Sequence, residues 1–173
     1  MSPPPLDIGE HDAVLTRYRE ALWRLTAGYA RSRQDREDLY QDVALAVWQA
    51  LPRFRGDCSE RTFVYRIAHN RGISHRARTA RRNTRPLADL EETPAVTPSP
   101  ETASIVRDDI TRLHVAVRTL PVAYREVVVL RLEGLSSREI AEIVGISENN
   151  VDVRLVRARQ KLRDEMGEAG NHE

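Results

Sequence analysis

Only one cysteine, Cys58, occurs in the 173 residues, so the chain holds no internal disulfide and no thiolate metal cluster. That composition suits a reducing compartment. No uninterrupted apolar run approaches the ~18 residues that a membrane-spanning helix needs. The opening MSPPPLDIGEHDAV has neither the basic region nor the apolar core of a secretory signal. A soluble, cytoplasmic protein without membrane insertion is the expectation. Catalytic signatures are missing too. The five histidines, His11, His69, His75, His114 and His172, form no HExxH and no tight ligand pair, and there is no P-loop or dinucleotide fingerprint. No catalytic residue, metal or cofactor is expected, and the chain is not read as an enzyme. Finally, no stretch alternates in the manner of a strand. The fold class is therefore all-α: two small helical domains joined by a flexible linker, the second containing a helix-turn-helix.

Charge of one sign is not in excess overall, since 27 Lys plus Arg meet 26 acids for a net +1. The distribution is uneven. Residues 61–85 carry eight arginines and no acid, whereas residues 86–110 carry six acids and one arginine. A basic block of this kind points to a polyanion partner, although a solvated helix face is the plainer alternative.

The most informative stretch is Leu135 to Leu162, LSSREIAEIVGISENNVDVRLVRARQKL. Ser136 and Glu139 form a capping box that starts a short helix with Ile140, Ala141, Ile143 and Val144 on its apolar side. Gly145 allows the left-handed turn. Ser147 caps a second helix whose apolar stripe is Val151, Leu155, Ala158 and Leu162. Arg154, Arg157 and Lys161 lie on a neighbouring face, widened by Arg159 and Arg163. This is the pattern of a helix-turn-helix that lays its second helix in the major groove. A helical hairpin with merely soluble arginines fits the same spacing.

In chain order, residues 1–10 are proline-rich and expected to be disordered. Leu15, Tyr18, Leu22, Leu25 and Tyr29 mark a first helix over 12–30, and Ser32 to Arg36 a polar break. A second helix over 36–51 ends before Pro52, with Leu39, Val43, Val47 and Ala50 as its packing stripe. Trp48 is expected in the core. Asp38, Gln41 and Asp42 are expected outside, in a spacing that requires no metal. After the turn at Gly56 and Asp57, a third helix over 61–78 turns Phe63, Ile67 and Ile73 inward, with Gly72 a weak point. Arg66, His69, Arg71, His75, Arg76 and Arg78 are expected on its outer side. Phe54, Phe63 and Tyr65 border that basic surface, either as core residues or as platforms for unpaired bases. The domains are then residues 11–82 and 105–165, separated by a proline-rich, acidic linker over 83–104 and followed by a tail over 166–173. Ile105, Ile110, Leu113, Val117 and Leu120 mark one further helix. Pro121 opens another, carrying Val127, Val128 and Leu130 to Leu132, with Gly134 at its end.

These blocks resemble the sigma factors of bacterial RNA polymerase, in particular the short extracytoplasmic-function group with regions 2 and 4 alone. DREDLYQDVALAVWQAL from Asp35, FRGDCSERTFVYRIAHN from Phe54 and the basic run from Arg71 to Arg82 resemble successive parts of region 2. LPVAYREVVVLRLEGLSSREIAEIVGIS from Leu120, through NNVDVRLVRARQKL, resembles region 4. The resemblance implies promoter-specific initiation with core RNA polymerase and promoter DNA as partners. Asp38, Gln41 and Asp42 would dock on the clamp helices of the largest subunit, and the second module on the flap. The loop Arg53 to Ser59, with Phe54 and Arg55, would receive a flipped base from the non-template strand of the −10 element. Phe63 and Tyr65 would fall in the segment that supports strand opening, and Arg66, His69, Asn70, Arg71, His75 and Arg76 would hold DNA around the −10 element. Ser147, Asn149, Asn150, Arg154 and Arg157 would face the −35 element. An anti-sigma partner is the group's usual regulator. Ser74, the Phe63–Val64 pair and Asp152 depart from the family pattern. Asp152 would repel a phosphate or accept from a cytosine amino group. The competing reading is a helix-turn-helix regulator that acts without core polymerase.

Overall fold

The computed structural model describes residues 8–83 and 116–169. The expectations for the extreme N-terminus, the linker, the helix positions Ile105, Ile110 and Leu113, and the last four residues lie outside them. The helices are α1 (Ile8–Ala27), α2 (Arg33–Ala50), α3 (Glu60–Asn83), α4 (Val122–Leu132), α5 (Ser137–Val144) and α6 (Glu148–Ala169). A 3-10 turn, Leu51–Arg53, follows α2, and residues 116–119 form a helical turn before α4.

α1, α2 and α3 form one module around Leu22, Leu25, Leu39, Val43, Val47, Leu51 and Val64, all buried. Each fully buried leucine there contributes about 2 kcal/mol by removal of apolar surface from water. α2 begins at Arg33, earlier than the sequence predicts. The reason is Ser32, whose hydroxyl accepts from the Asp35 N–H at 3.1 Å, while the Asp35 carboxylate accepts from the Arg31 N–H at 2.7 Å. The polar break is thus a helix cap. α3 starts at Glu60, where Ser59 accepts from the Thr62 N–H at 3.0 Å, and runs to Asn83, beyond the predicted Arg78.

α4, α5 and α6 pack around Leu120, Val127, Leu130, Leu135, Ile140, Val151, Leu155 and Ala158. The capping box at Ser136 and Glu139 is formed in both directions, and Gly145 ends α5 at φ 79°. Arg125 was not singled out by the sequence. It is buried, and its guanidinium donates to the carbonyls of Val117 (3.0 Å), Arg118 and Leu120 (2.6 Å). These are the orphan acceptors at the end of the turn preceding α4.

Three placements differ from expectation. Trp48, predicted in the core, is 40% exposed: it lies beside the Leu39–Val43–Val47 stripe, at the rim of the α1 contact, where its ring meets His11 edge-on at 6.2 Å. His69, predicted outside, is buried, with its Nδ1 3.0 Å from the Tyr29 hydroxyl. Gly72 is a packing requirement rather than a weak point, since a Cβ there would stand 2.6 Å from the Tyr29 ring.

The modules meet along α1 and α3. Val129 of α4 fills the space over Gly28, where a Cβ would come within 2.4 Å of its Cγ2. The Glu133 carboxylate accepts from Arg24 at 2.8 and 3.1 Å and from the Tyr65 hydroxyl at 3.4 Å, and its carbonyl accepts from Arg61 at 2.7 Å. Further along α3, Arg61 lies 3.7 Å from Glu139 and Arg66 2.8 Å from Glu142.

Candidate nucleic-acid interface

The two basic surfaces are built differently. On α3, burial and folding have already engaged most of the cations. Arg71 and Arg78 both approach Asp42, at 3.4 and 3.5 Å, and His75 Nε2 meets Asp35 at 2.6 Å. Arg76 is half-buried, and burial lowers its pKa. His69 is held to about 4 by burial, so its imidazole is neutral near pH 7. The carboxylate of Glu126, 3.9 Å from its Nε2, is therefore a neighbour and not an ion-pair partner there. Tyr65 is buried with its hydroxyl pushed up to about 12, by burial first and by Glu133 second. Of the residues expected around the −10 element, Asn70 and Arg55 are exposed, and Phe63, Arg66, Arg71, His75 and Arg76 half-buried. Tyr65 and His69 support this surface from beneath.

At the N-terminal end of α3, Phe54 and Phe63 pack at a centroid distance of 4.9 Å and an interplanar angle of 46°. Both remain half-buried, and the loop between them turns at Gly56, φ 77°. An aromatic pair with open faces beside arginines can stack an unpaired base.

On α2, Asp38 and Gln41 are exposed, with Asp38 accepting from Gln34 at 3.1 Å, while Asp42 is half-buried against the two arginines. Leu45 (54% exposed) and Trp48 continue the same face. Sequence periodicity missed this apolar patch because it treats every large apolar residue as core. The one available signal was that Leu45 and Trp48 fall outside the Leu39–Val43–Val47 stripe.

On α6, Ser147 caps the helix by accepting from the Asn150 N–H at 3.2 Å. Arg154 donates to Asn150 Oδ1 (2.7 Å), to Glu126 (2.6 Å) and to the Ala123 carbonyl (3.3 Å), which binds the recognition helix to α4. Burial raises the pKa of Glu126, and Arg154 opposes that rise. Asn149 and Arg157 point outward. Among the described residues no cluster of ligating side chains is placed to hold a metal, and no helix is long and apolar enough to cross a membrane.

A two-module, all-helical protein with a helix-turn-helix and a second basic helix beside an aromatic pair is a nucleic-acid-binding protein of the transcription machinery type. Residues 14–82 match Sigma-70 region 2, and residues 110–162 match Sigma-70, region 4. The chain is 37% identical over 145 residues to the ECF RNA polymerase sigma factor SigD of Mycobacterium tuberculosis, covering 82% of this chain and 68% of that protein. It is 31% identical over 157 residues to the RNA polymerase sigma factor CnrH of Cupriavidus metallidurans, covering 86% and 82%. Among solved structures, CnrH in complex with the cytosolic domain of CnrY superposes with a TM-score of 0.66 at 25% identity, over 91% of this chain and 87% of that one. The sigma factor RpoE in complex with the anti-sigma factor NepR from Bartonella quintana has a TM-score of 0.71 at 20% identity, over 91% and 97%, which bears on fold alone. The chain belongs to the sigma-70 family, in its extracytoplasmic-function group, and so binds core RNA polymerase and directs it to promoters. It acts by binding and not as an enzyme.

Proposed function

We propose that the first module reads the −10 element and the second the −35 element, in the cytoplasm, with core polymerase joining them on one promoter. The observation that carries this is the pairing, in one chain, of a helix-turn-helix with an aromatic-edged basic helix. Duplex DNA needs the first and an unpaired strand needs the second. Phe54 and Phe63, with Arg55 in the loop, receive a base taken out of the stack. Arg66, Asn70, Arg71, His75 and Arg76 hold the backbone of that strand, over the supporting Tyr65 and His69. Binding energy offsets the cost of unstacking, and no covalent step is needed. In the second module, Asn149 and Arg157 face base edges. Ser147, Asn150 and Arg154 fix the start of the recognition helix and border the phosphates.

The clamp helices of the largest polymerase subunit dock on Asp38, Gln41 and Asp42, and exposed Leu45 and Trp48 supply apolar area to that contact. The second module sits on the flap. An anti-sigma protein covering these faces is the regulator; the similar protein CnrH is itself held in complex with the cytosolic domain of CnrY.

The test is reconstituted transcription with bacterial core polymerase on a genomic promoter library, with starts mapped. Core-dependent starts sharing two upstream elements are expected, and an Asp38→Ala, Gln41→Ala double variant loses them. Tight duplex binding without core, and no starts, would instead mark a regulator independent of polymerase.

A further inference from the structure

The polar side chains at the start of α6 that look best suited to reading bases are already occupied within the protein. Asp152 accepts from the Ser137 hydroxyl at 2.5 Å, and Ser137 in turn accepts from Arg131 at 2.5 Å, while Arg131 also donates to the Leu135 carbonyl at 2.8 Å. Asp152 thus ties α6 to the first turn of α5 through Oδ1. Arg154 donates to Asn150 Oδ1 at 2.7 Å and to Glu126 at 2.6 Å. What α6 presents on the side opposite its buried stripe of Val151, Leu155 and Ala158 is a different row: Asn149, Val153 and Val156, spaced four and three apart. Val153 is 41% exposed and Val156 64%. Folding gains less from them than from the buried stripe, because a partly exposed β-branched residue in a helix buries only part of its surface and lowers helix propensity. Arg157, Arg159, Lys161 and Arg163 flank the row, which suits an anionic occupant with an apolar feature on its floor. The major groove of DNA has one such feature, the thymine C5-methyl group.

We infer that Val153 is a specificity-determining residue of the second module: it contacts the methyl group of a thymine in the upstream promoter element, beside the polar reading by Asn149 and Arg157. This rests on the −35 reading proposed above. Asp152 contributes only by setting the position of the helix. The position read by Val153 is therefore selected by shape and apolar contact, without a hydrogen bond.

The experiment uses the full chain with bacterial core polymerase on an active promoter, replacing each −35 thymine in turn, on either strand, by deoxyuridine, which lacks only the methyl. One position is expected where this substitution weakens binding about fourfold, the worth of one buried methylene-sized group. Val153→Ala is expected to bind thymine and deoxyuridine at that position equally, and Val153→Ser to do the same. Val156→Ala is expected to keep the discrimination. A flat scan on an active promoter, or a Val153→Ala protein that still discriminates, overturns the assignment and gives this row to a protein partner. Loss of discrimination in Val156→Ala instead overturns it in favour of that neighbour. Transcript starts are scored in the same reactions. Their absence on every template overturns the promoter reading and this inference with it, whereas a flat scan with normal starts overturns the inference alone.

Discussion

The two basic helices, α3 and α6, have similar compositions and opposite situations. Arg61, Arg66, Arg71, His75 and Arg78 of α3 each face a carboxylate from elsewhere in the chain. On α6, by contrast, Arg157, Arg159 and Lys161 are exposed to solvent. Arginine number therefore does not measure readiness for DNA. α6 offers its charge in the free protein, whereas an anion arriving at α3 would have to compete with acids that folding supplied, two of them, Glu139 and Glu142, from the other module. At the module contact Glu139 and Glu142 pair with Arg61 and Arg66 of α3, and Glu133 with Arg24 of α1.

The strongest way to break this contrast is steric. Gly72→Val would drive a side chain into the Tyr29 ring and is expected to destabilise the first module by about 3 kcal/mol in urea unfolding. Val153→Ala, on the open helix, should stay within about 0.5 kcal/mol. Acidification comes next. His69 titrates near 4 when folded, against the ordinary 6.5. Its contribution is complete above 6.5, where both states are neutral, and is lost as the pH falls toward 4, because the unfolded chain takes the proton first. Between pH 7 and 5 the loss is expected to be about 2 kcal/mol, and His69→Gln should flatten it. Burial raises Glu126, which works in the opposite sense at the acid end of that range.

Salt sharpens the comparison in binding. For non-specific duplex binding by the free chain, Arg157→Ala should reduce the slope of log affinity against log salt by about 1, as expected for one lost phosphate contact. Arg66→Ala should leave the slope unchanged, since Glu142 already holds that charge. The smallest effect is the Arg66–Glu142 pair itself. A double-mutant cycle should give about 0.5 kcal/mol at low salt, because both partners are well exposed. The coupling should vanish in 1 M salt, where the screening length is about 3 Å.

Much of this was legible in the sequence. The capping box at Ser136, the turn at Gly145 and the stripe from Val151 to Ala158 are local signals, and each lies where periodicity and cap chemistry put it. The family blocks located both modules. What was not legible depends on a partner far along the chain. His69 looks like one more cation on a basic helix until Tyr29, forty positions upstream, accounts for it. Asp152 left two readings open, and neither included Ser137 fifteen positions earlier. Trp48 was assigned to the core because hydropathy has no direction. Ser32 was legible in principle, since a serine followed three residues later by an aspartate is a cap signal.

The bare position at Gly28 has a consequence for kinship between such proteins. Val129 occupies the volume that any larger residue at position 28 would claim, so the two halves fit as a key fits its own lock. A hybrid that joins the front half of this chain to the back half of a relative would seat only if the relative carries a branched residue of similar size at the matching place. The reverse hybrid, with a relative's alanine or bulkier residue at position 28 facing Val129, would hold its halves apart. Halves of this chain are thus interchangeable only as matched pairs, and a side chain that is not there sets the rule.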